Sequence, residues 1–456
     1  MTSESLLEAF QQRLKGAAFP CLVQVHRGEE TILSASALWI SALKKKHALR
    51  AAGMRPGDIW LQEKGGTDAW IHFFACLQGG FIFCPLALHD SGHAPLVSRK
   101  VWSDQGSTEV RLSSELAGEP GFALLLHTSG TSSGRPRCVR LESAGILHQL
   151  QKHQDALQIP AESNRWLNLP WFHSFGFILD GLLGLYAGQY LYMFQEPALH
   201  PRLVLDTIQR YEINWLAAVP RSLQLILQYS ERHPTALSIL QNLHVHSGGA
   251  WLDEDRRRDL SQCLRAFYWG YGLTECGPGV LLNGHPIGCE VKLKPSEKIQ
   301  QHELWVRGPS IGRWASDTRD FVDGWLATGD LAVETAPHTF DVIGRAHDCF
   351  KTSAGVWIHL REIELMIAGT MSLLGVHISL QSDASHFVVR LLAAHDAAAL
   401  DRQALNNRLQ KILPLPVKLW ISQASDPMLQ NLLQIPQKSL GEALGRLPLD
   451  HFMICE

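Results

Sequence analysis

Residues 122–139 read FALLLHTSGTSSGRPRCV. The apolar run Phe122 to Leu126 has the length and composition of a buried strand. It opens directly into Thr128, Ser129, Gly130, Thr131, Ser132, Ser133 and Gly134. Glycines let backbone N–H groups approach an anion, and hydroxyls donate to phosphate oxygens. Arg135 and Arg137 add positive charge where a polyphosphate would lie. The spacing differs from the G-x-x-x-x-G-K-[ST] of P-loop nucleotide-binding proteins. Taken alone, a Ser/Thr/Gly loop is also an ordinary turn, so the rest of the chain has to decide.

On both sides of this stretch, strand-like runs alternate with helical ones. Ile59 to Gln62, Phe81 to Pro85, Trp215 to Val219 and Leu243 to His246 read as strands. Pro201 to Tyr211 and Ser222 to Tyr229 are amphipathic at helical spacing. Such alternation predicts an α/β protein of layered, largely parallel sheets. Glu303 to Arg307 (ELWVR) alternates cleanly and, with Phe340 to Ile343, predicts a small β lobe beside the main sheets. No fixed-period repeat or low-complexity tract is present.

Bulk properties exclude several classes. At 456 residues the chain exceeds one ordinary core, so at least two domains are expected. A net charge of −3 gives no broad pull toward nucleic acid or an anionic membrane. The nine cysteines have no C-x-x-C and no regular spacing, which fits a reducing cytoplasm better than a disulfide scaffold. The 22 histidines form no H-E-x-x-H or Cys/His cluster, so no structural metal is expected. The first residues, MTSESLLEAFQQRL, read as an amphipathic helix rather than a signal peptide. Phe177 to Phe194 is the one long apolar run; Asp180, Gln189 and three glycines in it favour a buried helix and core strand over a membrane span.

Further motifs follow in chain order. Residues 53–58 read GMRPGD, 170–176 PWFHSFG, 247–250 SGGA, 271–275 YGLTE, 324–330 GWLATGD, 344–351 GRAHDCFK and 355–364 GVWIHLREIE. Together with the Ser/Thr/Gly loop, this series resembles the AMP-forming adenylating enzymes: acyl-CoA synthetases, adenylation domains and luciferases. The last stretch is similar to that of aryl-acid ligases. The resemblance covers about residues 30 to 364 and fades beyond. It implies a large N-terminal domain of stacked mixed sheets with helices, residues 1–345. A hinge at 346–348, centred on His347, and a small mobile α+β domain, 349–456, would follow.

The resemblance also implies a chemistry. A carboxylic acid attacks the α-phosphate of ATP, pyrophosphate leaves, and the acyl group passes to a thiol of CoA or of a carrier protein's phosphopantetheine. Thr128 to Gly134 with Arg137 would cradle the phosphates. Glu275 would hold Mg²⁺, and Thr274 would donate to the α-phosphate. Gly248, Gly249 and Ala250 would flank the adenine, while Tyr271, followed by Gly272, stacks on it. Asp330 would take the ribose hydroxyls, with Arg345 helping from the far side. His173 would stand between acid and nucleotide. Relatives that activate α-amino acids place an Asp shortly after this histidine; Ser174 and Phe175 stand there instead, so an acid without an α-amino group is expected.

The chain departs from the family pattern in three places. The phosphate loop has one extra residue (Ser132 and Ser133 fill the place of one), Arg137 replaces a lysine and Cys138 a glycine. A residue is inserted between Lys351 and Gly355, and Leu360 stands for a proline. Near the C-terminus, residues 436–442 read PQKSLGE, which puts Glu442 at the family's catalytic lysine and leaves Lys438 as the nearest substitute. Two alternatives therefore stay open. One is a relative that activates another acid or oxyanion, or uses a non-thiol acceptor. The other is a degenerate nucleotide-binding protein.

Overall fold

A computed structural model describes residues 4–86, 100–103, 106–109, 121–128, 137–194, 200–252, 254–296, 301–314, 321–346, 349–351, 357–359, 364, 373–380, 387–393, 403, 409, 417–423 and 453–455. The chain divides into two compact units. The first holds Met1–Leu293, Leu304–Thr328 and Glu334–Asp341; the second holds Lys294–Glu303, Gly329–Val333 and Val342–Glu456.

The first unit is an α/β structure, as its alternating pattern predicts. Its nine-stranded sheet has the order His285–Pro286, Leu281–Leu282, Ala266–Tyr271, His244–Ser247, Trp215–Ala218, Asn164–Trp166, Tyr190–Phe194, Pro20–His26, Glu29–Ser34. The run from Ala266–Tyr271 to Pro20–His26 is parallel, and strands at both edges are antiparallel. A seven-stranded mixed sheet has the order Arg313–Trp314, Arg137–Glu142, Phe122–Thr128, Ile82–Pro85, Ile59–Gln62, Lys100–Ser103, Gly106–Glu109.

One apolar core joins the two sheets. It contains Leu22 and Trp215 of the first sheet, Trp60, Phe83, Leu124 and Leu141 of the second, and residues of the helices Leu6–Leu14, Ala35–Ala51, Thr67–Gly79 and Ser143–Leu157. Trp166, Leu216 and Val245 point to the opposite face, where helices Pro201–Arg210, Pro220–Ser230, Pro234–Leu240 and Glu254–Cys263 close a second core. Alternate residues of a strand face opposite ways, so helices on both faces leave its strands apolar throughout. Local signals set the helix starts. Ser5 and Glu8 form a reciprocal capping box before Leu6–Leu14, and Pro201, Pro220 and Pro234 each open a helix.

The apolar run after His173 folds as a π-type helix, Phe175–Leu182, a short α-helix, Leu183–Ala187, and the strand Tyr190–Phe194. Asp180 is wholly buried and pairs with the equally buried Arg165 at 3.1 Å. Burial raises the Asp180 carboxyl above the ordinary carboxylate range, and the Arg165 charge pulls it back. No helix among the described residues is long and apolar enough to cross a membrane.

A further sheet has the order Glu290–Pro295, His302–Arg307, Trp325–Ala336, Phe321–Val322, with Thr339–Arg345 also on Trp325–Ala336. These include the strands expected for the β lobe. The second unit contains a four-stranded sheet, Leu373–Leu380, Phe387–Ala393, Val417–Gln423, Met453–Cys455, whose middle pair is parallel. Val376, Ile378, Val389 and Leu391 are buried in it. Their spacing of two places them on one covered face.

Candidate active site

Three of the motifs leave the carboxyl ends of strands in the nine-stranded sheet. Three parallel strands end at Trp166, Ser247 and Tyr271; the last two are adjacent, and Trp215–Ala218 separates them from the first. The segments leaving those ends carry PWFHSFG, GGA after Ser247, and GLTE after Tyr271. In α/β sheets, the crevice at the carboxyl ends of the strands is where ligands bind.

Close backbone approach explains the glycines. A Cβ on Gly272 would lie 1.3 Å from the Pro278 carbonyl oxygen, so no other residue fits there. The turn folds back at once, with the Val280 N–H donating to the Tyr271 carbonyl at 2.9 Å. A Cβ on Gly248 would meet the Gly270 carbonyl oxygen at 3.3 Å and the Phe175 ring at 3.4 Å. The SGGA loop, the strand leading to Tyr271 and the start of the Phe175–Leu182 helix are therefore packed together.

Thr274 opens a short 3-10 turn, Thr274–Cys276. Its hydroxyl lies 3.1 Å from that of Ser174. Glu275, partly buried, is next in the turn, and its carbonyl accepts the Gly312 N–H at 2.7 Å. Immediately after Gly312, Arg313 and Trp314 pair with Arg140 and Val139 of the strand leaving the Ser/Thr/Gly loop. That pairing ties Glu275 to the sheet that carries the loop. Residues 129–136 lie outside the described residues; Thr128 and Arg137 end and begin the two paired strands that flank them.

His173 is partly buried, its ring 4.6 Å from Phe172, and its carbonyl accepts the Phe177 N–H at 2.8 Å. Behind the loops sit two buried imidazoles, His246 and His153, with ring centres 6.2 Å apart. Burial pushes His153 down to about 4 and His246 well below the ordinary histidine value, so both are neutral at pH 7. Phe175 meets His246 edge-on at 5.1 Å. Sequence reasoning gave His246 no role, because nothing adjacent to it distinguishes it from the other histidines.

In the second unit, Asp330 is 4% exposed and its carboxylate is 3.0 Å from Arg345 Nε. The expected ribose carboxylate and its arginine are thus neighbours, paired directly to each other. The Gly329 N–H donates to the Glu303 carboxylate at 2.8 Å, which holds the strand just before Asp330. His347, Lys438 and Glu442 lie outside the described residues.

The chain is similar to known proteins in sequence and in fold. A family model described as AMP-binding enzyme matches residues 94–322. The chain belongs to that family. It is similar to a feruloyl-CoA synthase of Amycolatopsis sp, 28% identical over 376 residues, covering 71% of this chain and 75% of the relative. It is also 28% identical over 277 residues to a 2-succinylbenzoate–CoA ligase of Bacillus subtilis, covering 54% and 53% of the two chains. In fold it resembles the O-succinylbenzoate coenzyme A synthetase of Bacillus subtilis in complex with AMP. The TM-score is 0.73 at 18% identity, covering 95% of this chain and 99% of that one.

Proposed function

We propose that this protein activates a small carboxylic acid, aryl or acyl and without an α-amino group, and transfers it to the thiol of CoA. A carboxylate oxygen attacks the α-phosphorus of ATP. The bond to the bridging oxygen breaks, pyrophosphate leaves with its electron pair, and an acyl-adenylate remains. The thiol then attacks the acyl carbon, AMP departs, and a thioester forms. Catalysis of such a transfer is mostly positioning and charge stabilisation.

The single observation carrying this reading is the Ser174–Thr274 contact, which sets the acid-side motif against the nucleotide-side motif. The names of the two similar ligases support CoA as acceptor and lean toward an aromatic acid. A carrier-protein phosphopantetheine is the alternative acceptor. The Ser174–Phe175 pair supplies no carboxylate for an ammonium, which supports an acid without one.

In this reading Thr274 donates to the α-phosphate, Gly248 to Ala250 and Tyr271 enclose the adenine, and Asp330 takes the ribose. The loop 128–134 and Arg137 receive the departing phosphates. Mg²⁺ suits Glu275: a carboxylate is a hard oxygen donor, and this one stands on a turn braced through its own backbone. Bound there, the ion would offset phosphate charge. Domain rotation about 346–348 would separate the two half-reactions. The seven described cysteines form no disulfide with one another, and a reducing cytoplasm is the setting proposed.

The test is a pyrophosphate-release screen with ATP, Mg²⁺ and a panel of aryl, fatty and amino acids, followed by thioester detection with CoA. Release with an aryl or acyl acid, and thioester formation with CoA, is the expected result. No release with any acid refutes the reading, and release with amino acids alone refutes the substrate class.

A further inference from the structure

Ser174 stands at the start of the Phe175–Leu182 helix with helical backbone angles, φ −55° and ψ −41°, whereas a serine that caps a helix has extended backbone. Accordingly, no side-chain capping bond forms. The hydroxyl, in a residue only 7% exposed, instead meets Thr274 Oγ1 at 3.1 Å, across 100 residues of sequence. The buried hydroxyl of Ser174 is thus directed across the fold onto Thr274.

Thr274 is stiff about χ1 because its Cβ is branched. Its turn is pinned by the Gly277 N–H on the Thr274 carbonyl and by Gly272 packed under Pro278. The position of Oγ1 is therefore fixed, but the direction of its proton is not. A threonine hydroxyl has one proton and two acceptor sites. If Ser174 donates to Thr274 Oγ1, the Thr274 proton must point elsewhere, and it becomes available to an anionic oxygen.

We propose that Ser174 is a positioning residue for adenylation: its hydroxyl donates to Thr274 Oγ1 and directs the Thr274 proton toward the α-phosphate. The inference rests on the proposed acid–ATP reaction and deepens it. The carboxylate oxygen forms its bond to phosphorus as the bond to pyrophosphate breaks, and negative charge at the α-phosphate must be met by a donor already aimed. Ser174 follows His173 directly, so the group that aims the donor belongs to the acid-side segment. Entry of the acid and orientation of the phosphate donor then share one hydrogen bond.

The experiment is a double-mutant cycle on the full chain, with ATP and the acid found in the screen. Ser174→Ala is expected to lower kcat for pyrophosphate release about tenfold, the size of one lost hydrogen bond, with KM for ATP changed less than twofold. In a Thr274→Val background the same change should cost less than twofold, since no proton remains to aim. In a Thr274→Ser background it should again cost about tenfold. Thioester formation from supplied acyl-adenylate should be slowed far less than pyrophosphate release. Ser174→Cys, similar in size and a weaker donor, should lie between wild type and Ser174→Ala. Additive losses in the Thr274→Val background, equal slowing of both half-reactions, or a purely KM effect would each overturn the proposal. An active wild type with an unaffected Ser174→Ala sinks only this inference; an inert wild type sinks the acid–ATP reading beneath it.

Discussion

Phe177→Ala removes the side chain that locks the helix after His173 and Ser174 into the core. Phe177 is 1% exposed. Its ring stacks on Trp70 at 5.0 Å and 9°, stacks on Phe83 at 5.6 Å, and meets Phe73 edge-on at 5.1 Å. Those partners come from the helix Thr67–Gly79 and from a strand of the seven-stranded sheet. Truncation of a buried Phe costs about 3–5 kcal/mol. The upper half of that range applies here, because each lost aromatic pairing adds roughly 0.5–1.5 kcal/mol beyond burial. The cavity also cannot collapse easily: a Cβ on Gly181, one helical turn on, would lie 2.2 Å from the Trp70 ring, so helix and ring are already in close contact. Taking about 4.5 kcal/mol and an unfolding entropy of about 0.7 kcal/mol/K for roughly 330 residues, Tm should fall by about 6 °C. Calorimetry with urea titration measures both quantities, and turnover well below Tm should drop as the helix start loosens. An exposed control, Ile32→Ala at 56% exposure, should stay within about 0.5 kcal/mol. A loss below about 1 kcal/mol for Phe177→Ala would refute the claim that this ring anchors the helix Phe175–Leu182.

Other outcomes are expected on the same grounds. Glu275→Gln should lower turnover at least ~100-fold at saturating Mg²⁺, as loss of a charge contact at the reacting phosphate requires; wild-type rates with an intact fold would remove Glu275 from the metal site. His153 is neutral when folded, its value pushed down to about 4, whereas unfolded it is an ordinary histidine. The unfolded chain then binds the extra proton, so this stability is complete above about pH 6.5 and is lost as pH falls toward 4, by about 3 kcal/mol. Urea titrations across that window should show a shallower pH slope in His153→Gln, and an unchanged slope would exclude His153 as a source. Near the C-terminus, Lys438→Ala should abolish adenylate formation with little effect on ATP binding or Tm. Full pyrophosphate release from that variant would exclude Lys438, and a gain in Glu442→Lys would point to a decayed site.

Much of the fold was legible because its signals are local. Ile59 to Gln62 is a strand with the bounds its apolar run suggests, and ELWVR lies within the strand His302–Arg307. Burial on both faces makes such runs continuous, and a proline or a capping serine marks a helix start within a few residues. The site motifs were legible for a similar reason. SGGA and YGLTE are each contiguous, since one strand end and one turn deliver each of them. A backbone that passes within 1.3 Å of where a Cβ would be, as at Gly272, admits only glycine and leaves that mark in the sequence.

What the tertiary structure decided is which distant groups became partners. Ser174 and Thr274 are 100 residues apart, and nothing in either motif names the other. Asp180 reads in sequence as a charge interrupting an apolar run; in the fold it is wholly buried against Arg165. Asp330 and Arg345 were assigned to opposite sides of a ribose, and the strands that carry them set the two side chains 3.0 Å apart. His246 and His153 gained neutral rings from helix and sheet closing over them. In each case the chemistry of a polar group depends on how much water is excluded and on which charge or hydroxyl faces it. Those are fixed by strand order and helix packing rather than by sequence neighbours, so they could be read only after the chain had folded.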